Sequence, residues 1–323
     1  LWSSRKSRVP KALAPIIIRI KVGFMTRIAV VGPGSVGVFF AAHLVANGHE
    51  VLSCARRSFA SYVIESDTHA LQQKAWVVTD ENAIPQTHLG ACDWVFFCVK
   101  AHQTESASQW LQRLCNAQTQ VVVVQNGIEH DRCQPWVNGA RVIPSAVYCG
   151  AQLVSPGVVQ HAVGSHLEVA DDKSGEALAQ LFEGSRAEIH LVESLAMAQW
   201  RKLGLNVVAN GLTALTNRSM SVIAHPSILP VAQDLLRECW EVAQADGVSI
   251  DPGTANATID NLLSRNADGV TSMLADTRAG RSTEHDAIYG AVIRRASILD
   301  VPILIICLIY GLLDARVPLA MTD

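Results

Sequence analysis

The chain has 323 residues, of which 49% are hydrophobic and 17% are charged, and this composition excludes a disordered protein. Its net charge of -3 provides no basic field for gripping nucleic acid. The length suits two domains.

Residues 1–24 differ from the rest because they carry six basic residues and no acid. A transit peptide has a similar composition. A strand-like run begins directly after Met25, however, and nothing in the segment resembles a cleavable signal. We therefore expect residues 1–24 to be an N-terminal extension outside the fold.

From Met25 to about residue 193, short apolar runs alternate with helical stretches. The runs Ile28–Val31, Glu50–Cys54, Asp93–Val99 and Gln120–Val124 are predicted strands, and Val36–Asn47 and Glu105–Cys115 are predicted helices. This alternation is typical of an α/β fold with a doubly wound parallel sheet of the Rossmann type. The later runs 142–148, 158–161 and 166–169 are predicted to be hairpin strands appended to that sheet.

From about residue 194 to residue 323, helical patterns dominate and predict an all-helical C-terminal domain. Its predicted helices are Ser194–Arg218, Ser227–Asp246, Ala255–Asn266 and Glu284–Leu299. The apolar run Val301–Leu313 is shorter than the ~18 residues of a membrane-spanning helix, so it is predicted to be a buried C-terminal helix.

The eight cysteines show no C-x-x-C pair and no Cys/His cluster with zinc spacing. This pattern predicts free, mostly buried thiols, no metal site and a reducing compartment, which we expect to be the cytoplasm.

The segment from Gly32 to Gly37 reads G-P-G-S-V-G and matches G-x-G-x-x-G directly between a predicted strand and a predicted helix. In such a turn the first glycine permits the tight bend, the second lets the backbone approach a pyrophosphate, and the third lets the helix pack on the strand. The helix N-terminus offers free N–H groups to the phosphates. The motif predicts dinucleotide binding by Gly32, Gly34, Ser35, Val36 and Gly37.

The end of the second strand decides between NAD(H) and NADP(H). An NAD site needs an acid there for the ribose 2′-hydroxyl, but this sequence has Arg56 and Arg57 and no acid. A guanidinium can bind a 2′-phosphate, so NADP(H) is the predicted cofactor, with Arg56 as its main ligand and Arg57 or Ser58 assisting.

A polar stripe runs along the predicted helix that starts near residue 194. Lys202, Asn206, Asn210 and Thr213 fall within roughly 80° of one another, while the other faces are mostly Leu, Val and Ala. A solvent face is one interpretation, but asparagine is a poor helix former and suits a partly buried cleft better. A desolvated lysine there can act as an acid near neutral pH.

A second polar segment surrounds Glu284. Thr283 with Asp286 resembles a helix N-cap pair, which would put Glu284 in the first helical turn, where the helix dipole favours a carboxylate. From there we expect Glu284 to pair with Lys202 and to bind a substrate hydroxyl, whereas His285 is expected to be structural.

Over about residues 26–300 the chain resembles the ketopantoate reductase family. The matching motifs, in order, are G-x-G-x-x-G, Arg56, Cys98–Gln103, Gln125–Gly127, Lys202-Leu203-x-x-Asn206-x-x-x-Asn210-x-Leu212-Thr213-Ala214, Ser272-Met273 and Gly280-Arg281-x-Thr283-Glu284. The apolar segment from Asp300 to Ile306 departs from the family pattern. This departure bears on which 2-oxo acid is the substrate more than on the reaction.

The resemblance implies NADPH-dependent reduction of 2-dehydropantoate to pantoate, by hydride transfer to C2, in pantothenate biosynthesis. It implies that Lys202 is the general acid and that Glu284 helps to position that lysine and the substrate. It further implies substrate binding by Asn206, Asn210 and Ser272, a place between cofactor and substrate for Asn126, and phosphate binding by Lys100.

Two other functions stay open. One is a related NADP-dependent reductase of another small 2-oxo acid, and the other is an NADP(H)-sensing protein without catalysis. The second predicts loss of Lys202 or Glu284, and both are present. We expect the partner to be a small molecule rather than nucleic acid or membrane, and the sequence allows a homodimer.

Overall fold

The computed structural model describes residues 26–266 and 268–316. The extension predicted for residues 1–24 lies outside these ranges, and the domain boundary predicted at residues 193 and 194 stays a prediction. We call the part up to the last strand the Rossmann domain and the part from the long fourth helix onward the helical domain.

The described residues form eleven strands and nine α-helices. The strands are β1 (Arg27–Val31), β2 (Glu50–Cys54), β3 (Ser61–Glu65), β4 (Ala70–Lys74), β5 (Trp76–Val78), β6 (Trp94–Phe97), β7 (Gln120–Val123), β8 (Arg141–Pro144), β9 (Ala146–Ser155), β10 (Val158–Ala170) and β11 (Glu188–Val192).

The α-helices are α1 (Ser35–Ala46), α2 (Ser108–Leu114), α3 (Lys173–Leu181), α4 (Leu195–Thr216), α5 (Leu229–Ala245), α6 (Ala255–Asn266), α7 (Ser272–Arg278), α8 (Ala291–Leu299) and α9 (Leu304–Asp314). Asp286–Gly290 forms a π-helical segment that leads into α8.

The parallel sheet of the Rossmann domain has the strand order β5-β2-β1-β6-β7-β8, and each neighbouring pair is parallel. Its central strands are nearly continuous apolar runs because both faces of the sheet are covered, and all four residues of β6 are buried. The prediction of a Rossmann-type parallel sheet followed by a helical region is therefore confirmed.

The hairpin strands predicted after residue 141 are only partly correct. The run that begins at Val142 belongs to β8, which pairs in parallel with β7 and extends the main sheet. Strands β9 and β10 are antiparallel, but they belong to a second sheet with β3, β4 and β11. A short apolar run does not reveal its partner strand, because pairing is a long-range property.

Helix α1 lies between the two sheets, which explains its sequence. Phe39, Phe40 and Leu44 are buried in one core with Val30 and Phe96 of the main sheet, and that core also takes in residues of β3 and β10. Because both sides are covered, the helix is apolar around most of its circumference and begins directly after the glycine turn.

The helical domain is built around α4, which contributes to its core together with α5, α8 and α9. The π-helical segment approaches α4 at Gly211, where an added Cβ atom would overlap the Tyr289 hydroxyl. That hydroxyl donates a hydrogen bond to the carbonyl oxygen of Val207, and Tyr289 is fully buried. The missing side chain at Gly211 thus sets how closely the two segments pack.

The C-terminal helix was predicted to be buried, and this is correct for one face only. Ile306, Ile309 and Leu313 of α9 are buried in the helical core. Leu304 and Leu308 on its other face are exposed, at 77% and 56%. A continuous apolar run gives no periodicity from which a half-exposed helix could be recognised.

All eight cysteines are free, and five of them are buried, as predicted; Cys307 on α9 is exposed. Within residues 26–266 and 268–316, no helix combines the length and the apolar character needed to cross a bilayer.

We expect Gly211→Ala to lower the free energy of unfolding by about 1–3 kcal/mol, because overpacking against Tyr289 forces the two segments apart. Gly311→Ala is the matched control, since an added Cβ atom there meets no atom within 4 Å. The control should be neutral or stabilising by up to ~1 kcal/mol. Urea denaturation followed by circular dichroism measures both, and an equal effect of the two substitutions would contradict the packing argument.

Candidate active site

The turn between β1 and α1 has the geometry that the glycine motif predicts. Gly32 has a φ of +81°, and an added Cβ atom would lie 2.5 Å from Val99 Cγ1, so only glycine fits without strain. At Gly34, by contrast, the nearest atom to an added Cβ would be 4.0 Å away. The turn therefore presents bare backbone at Gly34 to a ligand that approaches from outside.

The N-terminus of α1 can receive phosphates. The N–H groups of Ser35, Val36 and Gly37 occupy the first turn, where no helical carbonyl is available to them. No side chain caps this end of the helix, and its first turn carries no acidic residue. These residues fit the pyrophosphate of a dinucleotide, as the motif predicts.

Arg56 and Arg57 are exposed on the loop after β2. Because Val31 at the end of β1 pairs with Cys54 at the end of β2, this loop begins beside the glycine turn. Among the ion pairs and hydrogen bonds of the described residues, neither arginine has a partner. Both guanidinium groups are therefore available to a phosphate on the ribose.

The asparagines predicted to bind substrate form a hydrogen-bonded row across the domain interface. Asn206 on α4 donates to Asn126 Oδ1 at 3.2 Å, and Asn126, which follows β7, donates to Glu284 Oε2 at 2.9 Å. Asn210 donates to Asn206 Oδ1 at 3.2 Å. We call Asn126, Asn206 and Asn210 the asparagine row.

The row is anchored at both of its ends. Ser272 Oγ and the backbone N–H of Met273, at the start of α7, donate to Asn210 Oδ1 at 3.3 and 3.2 Å. At the other end, the backbone N–H of Ala101 donates to Glu284 Oε1 at 3.3 Å. The structure thus brings together five of the predicted site residues, namely Asn126, Asn206, Asn210, Ser272 and Glu284.

The polar stripe of α4 is not a solvent face. Asn206, Asn210 and Thr213 are 8%, 4% and 0% exposed, and Thr213 shares a 2.7 Å hydrogen bond with the Thr271 hydroxyl. Buried amides and hydroxyls need partners, and the asparagine row supplies them. The burial of the stripe agrees with a cleft lined by polar groups.

Lys202 lies one helical turn before Asn206 on the same stripe and is half-buried. Burial lowers the pKa of its ammonium group to about 8, while the neighbouring Cys149 and Glu168 act in the opposite direction. Its Nζ atom lies 4.6 Å from the centre of the Tyr148 ring. The described residues offer it no hydrogen bond or ion pair.

The surroundings of Glu284 differ from the prediction in two respects. Its carboxylate bonds to Asn126 and Ala101, and no ion pair with Lys202 is found among the described residues. The helix begins at His285, so Glu284 precedes the first turn, and Thr283 Oγ1 shares a 2.8 Å hydrogen bond with the His285 ring. Asp286 instead pairs with Arg294, which removes it from the expected cap.

Lys100, predicted to bind phosphate, forms an ion pair with Asp276 of α7 in the helical domain. The Asp276 side chain is 8% exposed and also accepts a hydrogen bond from Arg281 Nε at 2.9 Å. The Lys100 ammonium therefore bridges the two domains. Asp276 was not singled out by the sequence interpretation, although a lone acid directly after the apolar segment Met273–Ala275 is a signal for a buried ion pair.

Tyr148 was also missed, and the sequence carries no local signal for it. It lies on β9, and its contact with Lys202 joins residues far apart in the chain. Across the described residues, no group of three or more His, Cys, Asp or Glu side chains has an arrangement that could hold a metal ion.

Comparison with known proteins gives matches over both domains. The family model for ketopantoate reductase PanE/ApbA matches residues 28–173, and the model for the C-terminal part of the same family matches residues 194–317. The 2-dehydropantoate 2-reductase of Caulobacter vibrioides is 31% identical over 277 residues, which cover 84% of this chain and 93% of that protein.

Solved structures show the same fold. A PanE/ApbA family ketopantoate reductase from Ralstonia eutropha JMP134 superposes with a TM-score of 0.81 at 25% identity, over 90% of this chain and 98% of the other. D-mandelate dehydrogenase, solved with NADH and anilino(oxo)acetate, has a TM-score of 0.79 at 22% identity and matches 90% of this chain and 98% of its own. The second likeness concerns the fold alone.

A buried histidine close to the asparagine row makes the stability of the protein depend on pH. The buried His130 ring shares hydrogen bonds with the Gln125 carbonyl at 3.2 Å and with Gln199 Nε2 on α4 at 3.0 Å. Burial lowers the pKa of His130 to about 4, from an unfolded value of 6.5. Its contribution to stability is present above pH 6.5 and is lost as the pH falls through about 4.

We therefore expect the melting temperature to fall between pH 6.5 and 4, with His130 contributing at most about 3 kcal/mol. His130→Gln should flatten this dependence without removing it, because burial also lowers the pKa of His43 to about 4. The exposed His225→Gln is the control and should keep the wild-type slope. Scanning fluorimetry across this pH range measures the melting temperature of each variant. If the melting temperature of His130→Gln fell with pH as steeply as that of the wild type, the contribution assigned to His130 would be refuted.

Proposed function

Because the chain belongs to the ketopantoate reductase family, we propose that it reduces 2-dehydropantoate to pantoate with NADPH, as a step of pantothenate biosynthesis. One observation carries the proposal. Lys202 lies one helical turn from Asn206, and Asn206 is hydrogen-bonded across the domain interface to Asn126 and thus to Glu284. A proton donor and a set of polar binding groups therefore share one stripe at the junction of the domains.

Lys202 is the proposed general acid. With a pKa of about 8, its ammonium group is mostly protonated at neutral pH and still gives up a proton readily. The nicotinamide of a bound NADPH would supply the hydride that adds to C2 of the substrate. As negative charge develops on the carbonyl oxygen, the ammonium stabilises it and donates its proton.

The asparagine row and Ser272 are the proposed substrate ligands. A 2-oxo acid with a hydroxyl group presents both acceptors and donors, and an amide side chain can serve either. The anchors at Met273 and Ala101 hold the row in one orientation before substrate arrives. Glu284 accepts a hydrogen bond from Asn126, so we propose that it helps to position Lys202 indirectly, through the asparagine row.

The proposed cofactor ligands are Gly32, Gly34, Ser35, Val36, Gly37 and Asn126, with Arg56 on the 2′-phosphate. The bare backbone at Gly34 and the uncapped end of α1 support this assignment. Lys100, whose ammonium group is paired with Asp276, is also a proposed phosphate ligand.

Reduction of a different small 2-oxo acid is the second candidate. D-mandelate dehydrogenase has the same fold and a different substrate, so the fold does not select the acid. Relative kcat/KM values over a panel of 2-oxo acids decide between the candidates. NADPH binding without turnover on any of these acids would instead favour a sensing protein.

The compartment and the quaternary structure are also proposals. Eight free cysteines support a reducing compartment such as the cytoplasm. A homodimer stays a prediction.

We expect Lys202→Ala to lower kcat with 2-dehydropantoate by about 10²–10⁴-fold, the usual contribution of a positioned general acid. The Kd for NADPH, measured by the change in its fluorescence on binding, should stay within about twofold, because the proposed cofactor ligands do not include this lysine. Lys173→Ala removes an exposed lysine at the start of α3, outside the stripe, and should leave kcat unchanged. Normal turnover by Lys202→Ala would rule out the proposed acid.

Arg56→Ala should raise the KM for NADPH by about 10–100-fold, because it removes a charged hydrogen-bond donor from the 2′-phosphate. The KM for NADH should change little, since NADH lacks that phosphate. Arg57→Ala tests the neighbouring guanidinium and should have the smaller effect. If Arg56→Ala raised the KM for NADPH and the KM for NADH by the same factor, Arg56 would not be a ligand of the 2′-phosphate.

A further inference from the structure

The ammonium group of Lys202 faces an aromatic ring. Its Nζ atom lies 4.6 Å from the centroid of the Tyr148 ring, within the range of a cation–π interaction. We propose that Tyr148 is a positioning residue for the acid of the reaction, holding the Lys202 ammonium over its ring face. This inference rests on the proposed role of Lys202.

The Tyr148 ring is itself held in place by the second sheet. Tyr148 on β9 pairs directly with His166 on β10, and the two rings stack with centroids 4.8 Å apart at an angle of 14°. His166 in turn stacks on His190 of β11, with centroids 4.1 Å apart at 18°. Three neighbouring strands thus contribute one column of rings, and the column fixes the plane that Lys202 meets.

Burial keeps the Tyr148 phenol neutral. The pKa of its hydroxyl is raised to about 12, first by burial and then by the nearby Glu168 carboxylate. Lys202 therefore faces a neutral ring with a negative π face rather than a phenolate. Such a ring stabilises a cation but cannot take its proton.

The charged and titratable groups around Lys202 are few. From β9 they are Tyr148 and Cys149, and from β10 they are His166 and Glu168; Arg201 precedes Lys202 on α4 itself. Glu168 Oε2 is buried and has no hydrogen-bond partner among the residues that the structure describes.

Two further acids near the candidate site are engaged elsewhere. Asp276 faces Lys100 and Arg281, and Glu284 faces Asn126. Among these neighbours, Cys149 and Glu168 raise the pKa of Lys202, and the face of the Tyr148 ring also favours its charged form.

This arrangement suits a proton donor. A carboxylate in direct contact would stabilise the ammonium strongly, occupy its N–H groups and hold back the proton. The ring stabilises the charge less strongly and leaves the N–H groups free for the carbonyl oxygen of the substrate. Tyr148 thus orients the side chain without competing for the proton that the reaction uses.

The test is the pH profile of kcat/KM. An ammonium acid acts only while protonated, so kcat/KM falls as the pH rises through its pKa, which places the basic limb of the wild type near 8. Tyr148→Leu removes the ring face and should move this limb to lower pH by about one unit. Tyr148→Phe keeps the ring and should restore the wild-type limb and kcat to within about twofold.

Fluorinated phenylalanines at position 148 provide an isosteric series in case Tyr148→Leu fails to fold. Each added fluorine weakens the negative face of the ring while nearly preserving its shape, so the basic limb should move stepwise to lower pH. Glu168→Gln removes the nearby negative charge and should also lower the limb. The Kd for NADPH should stay constant throughout, which separates an effect on the acid from a general loss of structure.

Two results would overturn the inference. One is a basic limb that does not move across the fluorinated series, and the other is a shift in Tyr148→Phe as large as that in Tyr148→Leu. Failure of the proposed function is distinguishable, because then the wild type would reduce no 2-oxo acid, or Lys202→Ala would keep both its turnover and its basic limb.

Discussion

The candidate site depends on a hydrogen-bonded row that neither domain can complete alone. Asn126 belongs to the Rossmann domain, and Asn206 and Asn210 belong to α4 of the helical domain. Buried amides need hydrogen-bond partners, so the contact between Asn206 and Asn126 favours the observed placement of β7 beside α4. Loss of this contact would leave a buried amide short of a partner, at about 1–3 kcal/mol.

A glycine next to the asparagine row allows the loop after β7 to approach the helical domain closely. Gly127 has a φ of +97°, and an added Cβ atom would lie 2.5 Å from the carbonyl oxygen of Ala287. The loop after β7 can therefore lie against the π-helical segment only because this residue has no side chain. Beside this contact, Arg294 donates to both carboxylate oxygens of Glu129 at 2.7 Å. Half-exposed ion pairs of this kind contribute little on their own, so the specificity of the interface resides in the buried amides.

What could be predicted from the sequence was encoded locally. The glycine turn follows from residue types within six positions, and the stripe on α4 follows from helical periodicity. The asparagines were recognised because asparagine is a poor choice for a solvated helix, and the structure buries both of them. The errors concern long-range pairing: β8 joins the main sheet, and Lys202 meets Tyr148 instead of Glu284. The ion pair of Lys100 with Asp276 is likewise a long-range contact that the sequence did not reveal. Periodicity contains no information about such partners.

The cations near the interface fall into two classes according to what they face. Arg294 is held by Glu129 and Asp286, and these carboxylates raise the pKa of its guanidinium, so it keeps its proton and serves the interface. Lys100 faces Asp276 in a similar way. Lys202, in contrast, is partly buried against an aromatic ring and has no directly bonded acid within the described part of the chain, and its pKa falls to about 8. A cation bonded to a carboxylate cannot easily release a proton, whereas one desolvated without a partner can. The proposed role of Lys202 as proton donor therefore depends on its having, among the described residues, no bonded carboxylate of the kind that holds Arg294 and Lys100.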